Sequence, residues 1–356
     1  MHFNDGVVPE AYRKYTATRV FFILLLGLCL AVALVISVSL GAANIALRDV
    51  LGSLLGFSVP PRVDAIIWNI RLPQALAAVV SGAGLAVAGA AMQSILRNPL
   101  GSPFTLGISH AAAFGAALSV MVLGGGMMTS TSVGAVTITS PFLTTGTAFG
   151  FSLLAAFVII GISRMRGATP EVMVLTGVAL GALFSAGTMF LQFFADDVQL
   201  AAIVFWSFGD TARASWNELG LLCAVTACCV VFFMTQSWNY NAIDTGDETA
   251  MGLGVRVSRV RVMGMLAASL LTAVIISFLG IIGFVGLVVP HMVRRIIGGD
   301  NRFLLPASVV GGALLLLVSD TAARLVLAPH VLPVSVLTAF MGAPAFLWLI
   351  VKGYKR

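Results

Sequence analysis

Charge is what this chain has least of. Only 10% of its 356 residues are Asp, Glu, Lys or Arg, against 59% hydrophobic. A soluble domain carries about a quarter charged residues. With a mean hydropathy of +1.03, the composition excludes a chain that stays monomeric in water and makes the bilayer its solvent. Cysteine is scarce as well: Cys29, Cys223, Cys228 and Cys229 lie inside apolar runs and form no C-x-x-C pair. They read as buried small hydrophobes, not as a disulfide framework or a metal set. The four histidines, His2, His110, His291 and His330, are far apart and lack metal-ligand spacing. There is no Walker A loop, no G-x-S-x-G and no H-E-x-x-H, so no enzyme, no catalytic residue and no bound cofactor or metal is expected in this chain. Acidic residues are nearly absent from the interiors of the apolar runs. That argues against an ion-coupled transporter acting alone, which usually needs buried ionisable residues, although sodium can be held by backbone carbonyls. The net charge of +6 is dispersed along the chain and implies no nucleic-acid partner.

What is present is a series of long apolar runs. Roughly ten spans of ~20 residues can be placed, each able to cross ~30 Å of hydrocarbon as a helix. Their expected bounds are Val20–Leu40, Leu72–Ile95, Phe104–Leu123, Phe142–Ser163, Glu171–Phe194, Glu218–Gln236, Val260–Phe278, Gly280–Ile297, Leu304–Ser319 and Pro333–Val351. The eighth is short, and a single re-entrant turn there would change the count. The first follows Arg13, Lys14 and Arg19; it is too long for a signal-peptide core of about 7–15 residues and reads as an uncleaved span. The fold class is therefore an all-α polytopic membrane protein. Residues 1–19 form a cytoplasmic segment, 20–352 one transmembrane domain and 353–356 a cytoplasmic tail.

The basic residues orient the chain. With the N-terminus inside, Arg13, Lys14, Arg19, Arg97, Arg164, Arg166, Arg256, Arg259, Arg261, Arg294, Arg295, Arg302, Lys352, Lys355 and Arg356 are cytoplasmic. Arg48, Arg62, Arg71, Arg213 and Arg324 are outside, a division of 15 to 5. The positive-inside rule supports that assignment, with both termini cytoplasmic. Ser102-Pro103 and Thr169-Pro170 each look like an N-cap followed by proline at the first helical position. Gly82, Gly84, Ala88 and Gly89 in the second span would let helices approach closely. The Gly177–Gly187 run could line a path or simply pack. Asp320 and Arg324, four apart, should pair or face water. Spans two to five and seven to ten start on opposite sides, so an internal repeat would be inverted; topology alone suggests it.

Between two apolar runs lies a polar island, Asn241 to Arg261, with Asp244, Asp247, Glu248, Arg256, Arg259 and Arg261. Thr245-Gly246-Asp247-Glu248 reads as a capping box. A short helix should start there and stop at Gly252 or Gly254. Such a helix, on a cytoplasmic loop, suits the groove of a soluble partner.

Several segments together resemble the permease subunits of type II ABC importers for iron-siderophore complexes, haem and cobalamin, the FecCD-type family. They are RLPQALAAVVSGAGLAVAGAAMQSILRNPLGSPFTLGIS, LTGVALG, GDETAMGLG, GFVGLVVPHMVRRIIGGDNRFLLPAS and SDTAARL…LPVSVLTAFMGAPAFLWLI, running from Arg71 to Ile350. Each is weak alone; their order and spacing make the match specific. The resemblance implies a cobalamin-importer-permease-like fold of ten helices. It also implies a second permease copy or close paralogue, a translocation path between the two, a cytosolic ATPase dimer that carries the ATP and Mg, and an extracytoplasmic substrate-binding protein. The island then looks like the coupling loop 241–261, with Asp247, Glu248, Ala250, Met251, Leu253 and Gly254 as contact or shaping residues. Arg71 and Arg324 would meet glutamates of the binding protein, since arginine's planar fork suits carboxylates. Gln74 stands where the family commonly has a further arginine, which should weaken or reshape that contact. A cytoplasmic gate would fall near Thr169, Pro170 and Glu171. Asn98, Pro99, Pro290, His291 and Arg294 match cytoplasmic motifs expected to shape turns and brace the ATPase interface, with His291 as a structural donor. The implied cargo is a ferric-siderophore-type chelate, with haem or cobalamin as alternatives. A secondary transporter acting alone is the rival of another class, and an export permease or membrane scaffold a further one.

Overall fold

The computed structural model describes residues 9–41, 45–124, 126–127, 137–138, 141–328 and 330–353. His2, Lys355, Arg356 and most of the expected tail lie outside the described residues. The described residues are helical almost throughout, apart from one short antiparallel pair of strands, Gly126–Met127 with Thr137–Ile138. In order, the helices are α1 (Glu10–Ser39), α2 (Leu47–Leu54), α3 (Pro61–Ile66), α4 (Leu72–Ile95), α5 (Ile108–Val122), α6 (Pro141–Met165), α7 (Pro170–Phe194) and α8 (Asp197–Ser207). They continue with α9 (Trp216–Thr235), α10 (Ser237–Asp244), α11 (Asp247–Gly252), α12 (Val257–Leu279), α13 (Val285–Ile297), α14 (Asn301–Leu325) and α15 (Val334–Gly353). Among the described residues, seven stretches are long and apolar enough to cross a membrane: α1, α3 joined to α4 (Pro61–Ile95), α6, α7, α9, α12 and α14.

α4 is the axis of the fold. Its small residues are buried on nearly every side, against α9, α12, α13 and α14. A Cβ on Gly82 would lie 2.3 Å from the Gly312 carbonyl oxygen, and one on Gly89 only 1.7 Å from that of Gly286. The backbones of α4, α14 and α13 therefore touch, as the small-residue run in the sequence suggested. α1 lies at the edge: only Ser37 and Val38 near its C-terminus are buried, and its outward Leu and Val side chains are left for lipid.

Several expected features come out differently. α5 starts at Ile108, not Phe104, behind left-handed Gly107 (φ 80°). Ser102 caps a tight turn instead, accepting from the Thr105 amide at 3.2 Å. The Thr169-Pro170 cap does form, with the Thr169 hydroxyl accepting from the Val172 amide at 3.5 Å. The segment before α8 carries a capping box that the sequence reading passed over: the Asp196 carboxylate accepts from Gln199 N at 2.7 Å and the Gln199 side chain accepts from Asp196 N at 3.1 Å. Glycines 177, 181 and 187 pack α7 onto Leu106, Gly107 and Phe114, so that face packs and lines no path within the chain. Cys229 is buried, but Cys29, Cys223 and Cys228 are exposed on outward helix faces; an apolar run through lipid does not require its cysteines to face the core. α12 and α13 are separated by Gly280–Phe284, a non-helical stretch in which Gly280 and Phe284 both have positive φ. It is held against the chain after α8, where Asp210 N donates to Leu279 O at 2.8 Å. Irregular backbone at membrane depth is tolerated where protein covers it.

Candidate functional site at the two polar ends

The island covers the second half of α10, all of α11 and the first residues of α12, where Arg259 and Arg261 lie. The expected capping box is absent. Gly246, at φ 122°, occupies the N-cap position with no side-chain cap, and the Thr245 hydroxyl instead donates to Ala242 O at 2.7 Å. Left-handed geometry at Gly246 turns Thr245 away from the Glu248 amide. Asp247 and Glu248 in the first turn complement the helix dipole. The other end closes as expected at Gly254 (φ 83°). Val255 N bonds to Ala250 O at 3.0 Å and Gly254 N to Met251 O at 2.9 Å, the paired bonds of a Schellman motif.

The two faces of α11 differ. Ala250 is buried with Ala242, Ile243 and Val257 in a small satellite core. Met251 and Leu253 are 57% and 69% exposed, and Glu248 is exposed beside them. Beneath, Asp247 accepts from Arg261 Nη2 through both oxygens, at 3.0 and 3.1 Å, with Arg97 at 3.7 Å. By sequence Arg261 is the last residue of the island and one of the cytoplasmic charges. In the structure it is 2% exposed; its Nε donates to Ile95 O at 2.8 Å and its Nη1 to Ala168 O at 3.0 Å. Ala168 immediately precedes Thr169 and Pro170, so one arginine joins the island to the turn that leads into the suspected gate residues. Glu171 is exposed in the first turn of α7.

A second network braces α10. The Asp244 carboxylate accepts from Asn301 Nδ2 at 2.9 Å and Ser94 Oγ at 3.2 Å, with Arg294 at 3.8 Å. Burial pushes its pKa up, against the opposing pull of Arg294 and of the Asn301 and Ser94 hydrogen bonds. Asn241 donates to Asp300 at 2.9 Å and accepts from Asn301 N at 2.7 Å. Burial would raise the Asp300 pKa too, but the hydrogen bonds from Arg302 and Asn241 outweigh it, and the net direction is down. Asn98 shapes the turn after α4, accepting from Leu100 N at 2.9 Å through its side chain and from Gly101 N at 2.9 Å through its carbonyl; Pro99 sits between. Pro290 is buried inside α13. His291 lies edge-on to Phe346 with ring centroids 6.0 Å apart; its Nδ1 is buried without a hydrogen-bond partner among the described residues, so the expected donor role at that nitrogen is not seen.

At the opposite end, Arg71 and Arg324 converge on the C-terminus of α1. Arg71 Nη1 donates to Val38 O and Ser39 O at 2.7 and 2.8 Å, and the residue is 6% exposed. Arg324 Nη1 donates to Leu40 O at 3.2 Å, its Nη2 to Ser37 Oγ at 2.8 Å, and its Nε to Asp320 at 3.1 Å. Asp320, buried, also accepts from Gln74 Nε2 at 3.1 Å and from the Thr211 hydroxyl. Gln74 is thus a neutral donor to a carboxylate that already has its arginine.

The FecCD transport family pattern matches residues 28–352 of this chain. The hemin transport system permease of Yersinia pestis is 37% identical over 92% of the chain and 96% of its own length. A Methanocaldococcus jannaschii protein bearing the provisional name of an ABC transporter permease is 49% identical over 98% of the chain and 99% of its own length. A solved structure provisionally described as a metal-chelate type ABC transporter, in an inward-facing conformation, aligns with a TM-score of 0.80 at 30% identity over 93% of the chain and 98% of its own.

Proposed function

The chain belongs to the FecCD transport family and is a permease subunit of an ABC importer, and we propose that its cargo is a ferric-siderophore-type iron complex moved by a separate cytosolic ATPase dimer. ATP and Mg act on that partner. One observation carries the coupling part of the proposal: α11 is locked from beneath by Asp247 and Ala250 while Met251 and Leu253 project outward. An exposed apolar pair on a short, rigidly based helix fits a groove on a soluble partner. Asp247, Ala250 and Gly254 shape the helix; Glu248, Met251 and Leu253 make the contact.

The same proposal takes α5, α13 and α15 as crossing with the seven longer stretches, ten in all, with both termini cytoplasmic. α13, at 13 residues, spans about 20 Å, and the non-helical Gly280–Phe284 precedes it. An extracytoplasmic binding protein docks at the end where Arg71 and Arg324 lie. Because both arginines are engaged by α1 carbonyls, they shape and charge that docking face. Thr169, Pro170 and Glu171 stand at the cytoplasmic gate, and a second permease copy or close paralogue completes the path. Iron cargo is supported by relatives named for Fe(3+)-citrate and iron(3+)-hydroxamate import in Bacillus subtilis. Hemin and vitamin B12 permeases among the relatives keep those cargoes as the second reading. Reconstitution with the cognate ATPase and binding protein, assayed against ferric chelates, haem and cobalamin, should give ATP-dependent uptake of ferric chelates only when both partners are present. Uptake by the chain alone, driven by an ion gradient, would sink the proposal.

A further inference from the structure

Arg261 ties together three segments that are far apart in sequence. Its Nε holds the last carbonyl of α4, at Ile95; its Nη1 holds the carbonyl of Ala168; its Nη2 holds both oxygens of Asp247 at the start of α11. Ala168 has φ 55° without being glycine, a conformation that persists only where the surroundings hold it. Two bonds hold it here: its amide donates to Ser163 O at 2.7 Å, and its carbonyl accepts from Arg261. The next residue, Thr169, caps α7. Asp247 is in turn the charged attachment of α11, with Arg97 as a looser second partner at 3.7 Å.

We propose that Arg261 is a positioning residue that makes the shape of the α6–α7 turn depend on the position of α11. When α11 is drawn outward, Asp247 leaves Arg261. The guanidinium, 2% exposed, is then left with a buried charge and no counter-ion, which a low-dielectric interior does not tolerate. It shifts toward solvent, releases Ala168 O, and the left-handed residue relaxes, loosening the cap at the start of α7. Lysine could not replace it, because one ammonium cannot hold three acceptors in a planar fork. The device deepens the coupling role proposed for α11 and rests on it for its use, though not for its existence.

Hydrogen exchange on the reconstituted complex tests the link without reference to transport. The reporters are the amides of Ala168, Val172 and Met173, bonded to Ser163 O, Thr169 Oγ1 and Thr169 O. In Asp247→Asn, which leaves Arg261 in place, exchange at these amides should rise on the order of tenfold through local opening, although residue 247 touches none of them. Arg261→Lys should do the same. Thr249→Ala, an exposed change on the same helix, should not. The number of ATP molecules hydrolysed per cargo delivered should rise in Asp247→Asn while ATPase co-purification is kept. If Asp247→Asn speeds exchange in α11 but leaves residues 168–173 at the wild-type rate, Arg261 is a static brace and the proposal is wrong. Retained ATPase binding in a Met251→Asp/Leu253→Asp variant would overturn the docking assignment instead, and leaves the exchange result to stand or fall alone.

Discussion

Asp320 at one end of the bundle and Asp247 at the other are each gripped by an arginine, yet they join different kinds of element. Asp320 lies between Gln74 of α4, Thr211 and Arg324 of α14. Arg324 and Arg71 also donate to the C-terminal end of α1, Arg71 to the Val38 and Ser39 carbonyls and Arg324 to the Leu40 carbonyl and the Ser37 hydroxyl. α4 and α14, which carry Gln74, Asp320 and Arg324, are packed into the bundle along their length, so the carboxylate joins two fixed elements. Asp247 belongs to a six-residue helix outside the spans. Its arginine is anchored in the bundle, so the ion pair is the joint between a fixed part and a separable one. The same chemistry serves as a brace where both partners are fixed and as a linkage where one is free to leave.

Four measurements can break or sharpen that contrast. The largest effect is expected for Asp320→Ala. Removing one partner of a buried ion pair costs about 3–5 kcal/mol, so thermal unfolding in detergent should shift sharply down while ATPase co-purification of the folded fraction is unchanged. Full stability with lost uptake would make the outer cluster a working part and erase the contrast. Next comes Met251→Asp with Leu253→Asp. Both side chains are exposed, so stability should stay within about 0.5 kcal/mol, while ATPase binding should fall at least roughly tenfold, as expected of hot-spot truncation. Normal co-purification would remove α11 from the interface.

The third measurement is pH dependence at the inner end, where the two neighbouring carboxylates should respond with opposite sign. The Asp300 pKa is depressed: its stabilisation is present above the unfolded value of about 3.9 and is lost as pH falls through the lower folded value. Asp300→Asn should therefore flatten the acid side of the stability curve. The Asp244 pKa is raised, so the folded state favours its proton and stability declines as pH rises from about 3.9 through the higher folded value. Asp244→Asn should remove that decline. Identical pH profiles for the two variants would contradict the assignment. The smallest effect belongs to Arg48–Asp49, with the arginine side chain 89% exposed. Arg48→Ala should change stability by no more than about 0.5 kcal/mol, which sets the baseline against which both buried pairs are judged.

The sequence placed the end of α4 at Ile95, where the run of small apolar residues meets Asn98-Pro99, but not its beginning: Arg71-Leu-Pro reads as a start, whereas the helix continues unbroken from Pro61. α11 was legible in place and length but not in its cap: the pattern Thr245-Gly246-Asp247-Glu248 matches a capping box, but Gly246, at φ 122°, takes the N-cap position and Thr245 is out of reach. The start of α5 was misplaced because Ser102-Pro103 carries the same signal as a helix cap and is used for a turn. Arg261 was invisible for a different reason. Counting basic residues by membrane side treats each as solvated, whereas its burial depends on carbonyls of Ile95 and Ala168, and backbone acceptors carry no sequence signature. Asn241, Ser94 and Asn301 escaped likewise, being ordinary polar residues until the fold placed them around Asp244 and Asp300.

The backbone contacts of Gly82 with Gly312 and of Gly89 with Gly286 have a consequence for any future study of motion. At these crossings little side-chain bulk separates the backbones, so a roll of α4 against α13 or α14 would press main chain on main chain. The three helices are expected to move as one unit. Spin labels or crosslinks placed across these pairs should report one distance in every state of the transport cycle. Displacements of α11, the α6–α7 turn and α7 should therefore be measured relative to that internal ruler.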